Sequence, residues 1–166
     1  MSVFSEEPYD ATTPVDLPPA SLAAVHRTGL RIDDLGSTFD AAFGALGKAI
    51  AAGSLTPSGP AVAVYRGDPM EVFDLDVGFP VDEALSASLT VDGLEIVAAE
   101  LPSGPALATT VIGPYDGLGE AWARLAGEST ALGHSPAGVW IEVYVSDPSV
   151  TAPAELRTDL ILPVLR

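Results

Sequence analysis

Three residues late in the chain, Trp140, Glu142 and Tyr144, combine one carboxylate with two large aromatic side chains at alternate positions. They belong to the run VWIEVYV at 139–145, which is rich in β-branched residues and predicts a strand. Side chains alternate along a strand, so the three share one face. Aromatic faces attract cations, and partial desolvation of a carboxylate strengthens that attraction. The pattern predicts a site for a flat, lipophilic cation or for a molecule that develops positive charge.

The same three residues allow two other interpretations. A glutamate in apolar surroundings can act as a general acid or base. Alternatively, the face is solvated, Glu142 is wet and the aromatic rings only cover the sheet. We expect the aliphatic residues at 139, 141, 143 and 145 to meet the helices, which places Glu142 on the opposite face.

The chain repeats one pattern twice, which indicates a duplication. Four landmarks recur in order at separations of 79 to 84 positions. The pairs are Gly29 with Gly113, Gly53 with Gly133, Asp68-Pro69 with Asp147-Pro148, and Phe79-Pro80 with Leu162-Pro163. We therefore divide the chain into an acidic, flexible tail at 1–13 and one domain at 14–166. Its two repeats span about 14–82 and 92–166.

Each repeat reads as strand, helix, strand, strand. In the first, the strands cover 19–29, 58–69 and 71–81, with a helix at 39–53; in the second they cover 103–113, 135–148 and 155–164, with a helix at 118–133. A further strand is predicted at 91–100. The order predicts an α+β fold: a mainly antiparallel sheet with two helices on one face and a ligand groove on the other.

The groove between the repeats should be asymmetric. The first-half counterparts of Trp140, Glu142 and Tyr144 are Ala61, Ala63 and Tyr65, so small residues face large ones and a charge. A pseudo-twofold axis would bring these two strands together. Trp122 lies at helical spacing with Leu118 and Leu125, which is typical of a core residue whose ring end could reach the groove.

Composition excludes several classes of protein. The net charge of −16 disfavours direct binding of nucleic acid, and the absence of cysteine excludes thiolate chemistry and disulfides. His26 and His134 lie in different segments, so no metal site is predicted; Asp74 and Asp76 are interpreted as a solvated strand edge. No nucleotide-binding motif occurs, and we expect no cofactor. Without a signal-peptide pattern or a long apolar run, we expect a cytoplasmic protein that does not enter a membrane.

Several short motifs resemble those of the GyrI-like family. They are Gly113-Pro114-Tyr115, Glu142 with Tyr144, Asp147-Pro148, and the closing run from Leu156-Arg157-Thr158-Asp159 to Leu162-Pro163-Val164. In that family the domain also forms the effector-binding part of AraC-type and MerR-type multidrug regulators. The resemblance implies that Glu142 is the acid of the pocket and that Tyr115 lines it. Leu30-Arg31 replaces the usual proline-tyrosine after Gly29.

The resemblance implies a freestanding module that binds lipophilic, cationic or aromatic small molecules, for sensing or sequestration. The expected ligand-binding residues are Glu142, Trp140, Tyr144, Tyr65, Tyr115 and Trp122. An alternative is a hydrolase of cyclopropane-type or other electrophilic metabolites, with Glu142 as general base and Tyr144 as donor. A second alternative is a protein-interaction module such as a gyrase inhibitor, with a protein partner. The chain could act as a monomer or as a homodimer.

Overall fold

Ten strands and two α-helices make up the fold in the computed structural model, which describes residues 4–68 and 70–165. The strands are β1 (Thr13–Leu17), β2 (Ala20–Leu30), β3 (Ala61–Gly67), β4 (Phe73–Val81), β5 (Leu89–Val91), β6 (Leu94–Leu101), β7 (Gly104–Ile112), β8 (Ser135–Pro136), β9 (Val139–Tyr144) and β10 (Arg157–Leu165). The helices are α1 (Leu35–Ala51) and α2 (Leu118–Ala131). The strand order is β1-β7-β10-β9-β3-β4-β2-β6-β5, with β8 beside β10, and all pairs are antiparallel. The predicted α+β class and antiparallel sheet are confirmed.

The two halves share one order of elements, and the repeat is longer by one strand than the sequence predicted. β1 pairs with β7 from Thr13–Ala108 to Leu17–Gly104. β6 pairs with β2 from Val97–Ala24 to Leu101–Ala20, which is the same register displaced by 84 positions. Each repeat is therefore strand, strand, helix, strand, strand, starting with β1 in one half and with β6 in the other.

The strand predicted at 91–100 is present as β6, and a tight turn at its predicted start joins it to a further short strand, β5. Val91 pairs with Leu94, so the loop between β5 and β6 contains only Asp92 and Gly93. Both have positive φ, 52° and 81°. This is the geometry of a type I′ hairpin turn, for which an aspartate–glycine pair is well suited. β5, the segment that precedes β6, therefore lies antiparallel beside β6 and contacts α1.

The inner strands of the two repeats, β3 and β9, lie side by side at the centre of the sheet. Ala63 pairs directly with Glu142, and these two residues are also equivalent in the duplication. A residue that pairs with its own equivalent marks the pseudo-twofold axis. The axis therefore passes between Ala63 and Glu142, so Glu142 lies at the junction of the two repeats.

Both faces of the sheet are buried, and this corrects the predicted position of the groove. The aliphatic face of β9, with Ile141 and Val143, packs against residues such as Leu17 and Leu101 from the two sides of the sheet. The sheet thus curls and encloses a core of its own on that face. Trp140 and Tyr144 instead pack on the helix side. Alternation correctly grouped the residues of β9, but it could not tell which group meets the helices.

The segment before β1 is held against the second repeat, whereas the sequence predicted a loose tail. Phe4 is buried in the core of the aliphatic face. The guanidinium of Arg157 donates to the main-chain carbonyls of Ser5, Glu6 and Glu7 at 2.8–3.1 Å. These bonds fix a stretch of chain that has no regular secondary structure and bends at residues 6 and 7. Within the described residues, no helix is long and apolar enough to span a membrane.

Candidate functional site

The Glu142 carboxylate is buried, with 6 % of the residue exposed, and both of its oxygens accept hydrogen bonds from aromatic residues. The Tyr65 and Tyr144 hydroxyls donate to Oε1 at 3.0 and 2.5 Å. The Trp122 indole Nε1 donates to Oε2 at 2.8 Å. Strands β3 and β9 supply the two tyrosines and the carboxylate, while α2 supplies the tryptophan. Three elements that are far apart along the chain, β3, α2 and β9, thus converge on one acid.

Aromatic rings surround this hydrogen-bonded group on the helix side of the sheet. The Tyr144 ring contacts Tyr115, Phe39 and Phe43 edge to face, at centroid distances of 5.9, 6.1 and 6.4 Å. Trp122 and Trp140 meet edge to face at 5.2 Å. Phe39 and Phe43 belong to α1, so the rings fill the space between the two helices. We name these six side chains, Phe39, Phe43, Tyr115, Trp122, Trp140 and Tyr144, the aromatic cluster.

Only neutral groups satisfy the carboxylate. The ion pairs among the described residues join Arg66 to Asp76, Lys48 to Asp92, and Arg157 to Asp159, and Asp76 also accepts a hydrogen bond from His26. None includes Glu142. Hydrogen bonds from neutral donors stabilise a buried carboxylate without cancelling its charge. Among residues 4–68 and 70–165, the acidic centre consequently has no counter-ion.

The electrostatics of the tyrosines agree with their role as donors. Burial raises the pKa of Tyr65 and of Tyr144 well above the usual value, and the Glu142 charge raises it further. The same two causes, together with Asp147, raise the pKa of Tyr115. A hydroxyl with a raised pKa keeps its proton at neutral pH. Tyr65 and Tyr144 therefore remain hydrogen-bond donors to the carboxylate.

A family model matches residues 15–165 of the sequence, nearly the whole chain. The chain belongs to the GyrI-like small molecule binding domain family. Among curated proteins, none matches the sequence of this GyrI-like chain. The resemblance seen in the motifs is confirmed.

Solved structures share the fold at low sequence identity. The C-terminal domain of EcmrR superposes with a TM-score of 0.71 at 14 % identity, covering 94 % of this chain and 98 % of that one. A protein named SAV2435, solved bound to tetraphenylphosphonium, gives a TM-score of 0.69 at 10 % identity, with 93 % and 94 % covered. A hydrolase from Listeria innocua gives 0.65 at 14 % identity, with 96 % and 94 % covered. At these identities the likeness establishes the fold of the GyrI-like domain.

The structure brings all six predicted ligand-binding residues of this GyrI-like domain into one region. Tyr65, Tyr144 and Trp122 bond to Glu142 directly. Trp140 donates to the Gly67 carbonyl at 3.3 Å and contacts Glu142 only through its neighbours. Tyr115 is 39 % exposed and lies at the outer edge of the cluster. Trp122 was expected to be a core residue whose ring end could reach the groove, and its indole bonds to Oε2 of Glu142.

Phe39 and Phe43 are the residues that sequence reasoning did not place at the site. Their helical spacing assigned them to the core stripe of α1. A signal was nevertheless present, because α1 begins Leu35-Gly36 and α2 begins Leu118-Gly119, with Phe39 and Trp122 at the same position after each start. Aligning the two helices on these starts would have placed Phe39 beside the pseudo-twofold axis.

The carboxylate itself is enclosed: Glu142 is 6 % exposed, and its two oxygens bond to Tyr65, Tyr144 and Trp122. A ligand that contacts the carboxylate must therefore displace at least one of these side chains. Two clefts, of about 340 and 410 Å³, lie elsewhere; Ser21 and Pro80 line the first, and His26 and Glu95 line the second. Among the described residues, no group of three or more His, Asp or Glu side chains is arranged to hold a metal ion.

Proposed function

We propose that this GyrI-like chain is a binding module for lipophilic small molecules that are cationic or aromatic, and that it senses or sequesters them. The observation that carries the proposal is the buried Glu142 carboxylate, which has three neutral donors and no counter-ion within the described structure. The proposed ligand-contacting residues are Glu142, Tyr65 and the aromatic cluster.

The physical preference of such a site is for a cation with delocalised charge. A buried carboxylate attracts a cation strongly because little solvent screens the pair. A compact ammonium ion loses much hydration energy when it is buried, whereas a large organic cation loses less and gains contact with aromatic faces. Tetraphenylphosphonium is a cation of this kind, and its presence in the structure of SAV2435 supports the proposal.

Access to the acid follows from the exposure of the rings around it. Tyr115 is the most exposed member of the cluster and contacts Tyr144, which itself bonds to Glu142. Trp122 comes from α2, whereas Glu142 and Tyr144 are fixed on the central strand β9. We propose that a ligand enters past Tyr115 and takes the place of the Trp122 ring beside Oε2.

Tetraphenylphosphonium titrated into the full chain, followed by intrinsic fluorescence, tests this proposal. The two tryptophans of the sequence, Trp122 and Trp140, both lie in the cluster, so the signal reports on the site itself. We expect saturable quenching, and a loss of affinity of at least about tenfold in Glu142→Gln. Glu120→Gln, which removes an exposed carboxylate of α2, is the matched control and should bind as wild type.

A neutral probe separates charge from shape. Triphenylphosphine oxide has similar rings and no net charge, so its affinity should change little between wild type and Glu142→Gln. Equal loss of both probes would indicate that the substitution damages the cluster. Undiminished tetraphenylphosphonium binding in Glu142→Gln would refute the role of the charge.

A hydrolase is the second candidate, favoured by the Tyr144–Glu142 bond of 2.5 Å and by the likeness to the hydrolase from Listeria innocua. In this case Glu142 would accept a proton from an attacking water, while a tyrosine hydroxyl donates to the electron pair released when the electrophile opens. Turnover of a cyclopropane-bearing electrophile that disappears in both Glu142→Gln and Tyr144→Phe would support it. Binding of the electrophile without turnover would exclude it.

A further inference from the structure

Two buried aspartates, Asp76 on β4 and Asp159 on β10, occupy equivalent positions in the two repeats, on the sheet face away from the helices. Each accepts a hydrogen bond from the residue directly across the strand pair. For Asp76 this is His26, whose Nδ1 lies 2.6 Å from Oδ1. For Asp159 it is Thr110, whose hydroxyl donates at 2.7 Å. The sequence suggested a solvated edge for Asp76, and its burial corrects that interpretation.

Each aspartate also pairs with an arginine. Arg157 lies two residues before Asp159 on β10 and bonds to both carboxylate oxygens, at 3.1 and 2.8 Å. In the first repeat the guanidinium comes from the adjacent strand: Arg66 on β3 bonds to Asp76 at 2.6 Å. In the strand register Arg66 lies directly opposite Asp74 of β4. Asp74 is the first-repeat equivalent of Arg157. Both repeats therefore contain the ion pair, but the arginine lies on the same strand as the aspartate in the second repeat and on the neighbouring strand in the first.

An irregular stretch of chain, residues 5–9, completes the pair in the second repeat. Arg157 donates to the carbonyls of Ser5, Glu6 and Glu7, and the Tyr9 amide donates to Oγ1 of Thr110 at 2.8 Å. This stretch runs directly into β1. The Arg157–Asp159 pair thus serves as a platform on which a main chain docks.

The corresponding platform in the first repeat is open. The chain that precedes β6, the equivalent of β1, turns back at Asp92-Gly93 and so does not cover Asp76. A cleft of about 410 Å³ lies there, lined by His26, Asp76, Glu95, Val97, Ala98 and Ala99. The side chains of His26 and Arg66 are 46 % and 38 % exposed. No main-chain carbonyl in 4–68 or 70–165 accepts a bond from Arg66.

We propose that this cleft binds a short segment of another polypeptide, in the manner that the second repeat binds residues 5–9. The free N–H groups of Arg66 donate to main-chain carbonyls of the segment. When Nδ1–H of a neutral His26 donates to Asp76, its Nε2 is an acceptor and takes the place of Thr110 Oγ1 for a main-chain amide. The pairing of β2 with β6 ends at Ala24–Val97, which leaves room beside His26 for an added chain.

The negative charge at the cleft and on the whole chain favours the binding of a basic segment. Glu95 is exposed at the rim of the cleft, and the whole chain has a net charge of −16. The segment that covers the second repeat contains Glu6 and Glu7, which would be repelled at Glu95. A partner segment with lysine or arginine at the positions that correspond to Glu6 and Glu7 would instead be attracted to Glu95.

A capped synthetic peptide tests the proposal: residues 4–12 with the changes Glu6→Lys and Glu7→Lys, titrated into the isotope-labelled full chain and followed by amide NMR shifts. We expect shifts around His26, Glu95 and Val97. Arg66→Gln should weaken binding by about tenfold or more, since it removes charge-assisted bonds. Glu95→Lys should do the same, and because its side chain is exposed it does not endanger folding.

Glu100→Lys makes the same charge change on the opposite face of β6 and serves as the control, which should bind as wild type. Shifts confined to Thr110 and Arg157 would mean that the peptide replaces the chain's own segment in the second repeat, and would overturn the proposal. Absence of shifts at millimolar peptide, or equal weakening by Glu95→Lys and Glu100→Lys, would overturn it as well.

Discussion

Tyr65 and Tyr144 hold equivalent positions in the two repeats, and their hydroxyls donate to the same oxygen of Glu142, at 3.0 and 2.5 Å. The acceptor lies at the pseudo-twofold axis, where its equivalent and direct strand partner is Ala63. Two carboxylates at this point would face each other across adjacent strands and repel. The duplication therefore provides two symmetric donors for one charge, and the alanine leaves room for it.

Loss of the Tyr144 hydroxyl should destabilise the fold measurably. Tyr144→Phe keeps the ring contacts and removes one donor to a buried carboxylate, so we expect the free energy of unfolding to fall by about 1.5–3 kcal/mol. Urea denaturation measures this change. Tyr115→Phe is the control, because the Tyr115 hydroxyl makes no hydrogen bond within the described structure and its loss should cost little. Equal stability of the two variants would contradict the importance of the donor.

Stability should decline at alkaline pH because of the same tyrosines. Burial and the Glu142 charge raise the pKa of Tyr65 and Tyr144 above the ordinary 10.0. The folded protein keeps these protons at a pH where the unfolded chain releases them. Their contribution is intact below pH 10 and is lost as the pH rises above it, by about 1.4 kcal/mol per pH unit for each tyrosine.

Unfolding free energies measured between about pH 8 and pH 11 check this dependence. The double variant Tyr65→Phe, Tyr144→Phe should be less stable at neutral pH, yet its stability should fall less steeply above pH 10. A slope equal to that of wild type would show that the two hydroxyls do not titrate with folding.

Much of the architecture was predictable because duplication makes weak local signals recur. Gly53 and Gly133 end their helices with φ of 76° and 84°, conformations that favour glycine, and this is why both helix ends could be found in the sequence. The β1–β6 equivalence was not predictable from these landmarks. Thr13–Leu17 and Val97–Leu101 share only their register, and register is a property of pairing that no single segment encodes.

The members of the site were also more predictable than its location. Alternation grouped Trp140, Glu142 and Tyr144 correctly, because a strand has a period of two regardless of context. Which group meets the helices depends on how the whole sheet curls, and Ile141 and Val143 turned out to face the enclosed core. Tertiary curvature of this kind has no local sequence signal.

Gly78 on β4 marks a place where the sheet tolerates no side chain. A Cβ added there would lie 2.0 Å from the Ala23 carbonyl oxygen and 2.7 Å from the Ala24 Cα, which are main-chain atoms of β2. Gly78→Ala should therefore cost about 3 kcal/mol or more in unfolding free energy, or prevent folding. Gly47→Ala in α1 meets nothing within 4 Å and should instead stabilise by about 0.5–1 kcal/mol. Thermal or urea unfolding of both variants measures these two opposite changes: a loss of stability from the clash at position 78 and a gain from the lost flexibility of glycine at position 47.

Arg157 should matter more for stability than Arg66, because it joins a buried aspartate to the N-terminal segment. Arg157→Gln leaves Asp159 with only the Thr110 hydroxyl as a side-chain partner, and we expect a loss of about 3–5 kcal/mol. Arg66→Gln should cost less, since Asp76 keeps His26 and the Arg66 side chain is partly solvated. Arg124→Gln, at an exposed position of α2, removes the same charge and should be neutral.

Release of the N-terminal segment gives this prediction a second measurement. In wild type the Glu6 and Glu7 carbonyls accept bonds from Arg157, which holds the peptide bonds after them in place. A glutamate-specific endopeptidase should therefore cleave after Glu6 faster in Arg157→Gln than in wild type or Arg124→Gln, whereas the bond after Glu7 precedes Pro8 and resists such an enzyme. If cleavage is equally fast in all three proteins, the segment is not held by Arg157. A stability loss would then have to come from the unpaired Asp159 alone.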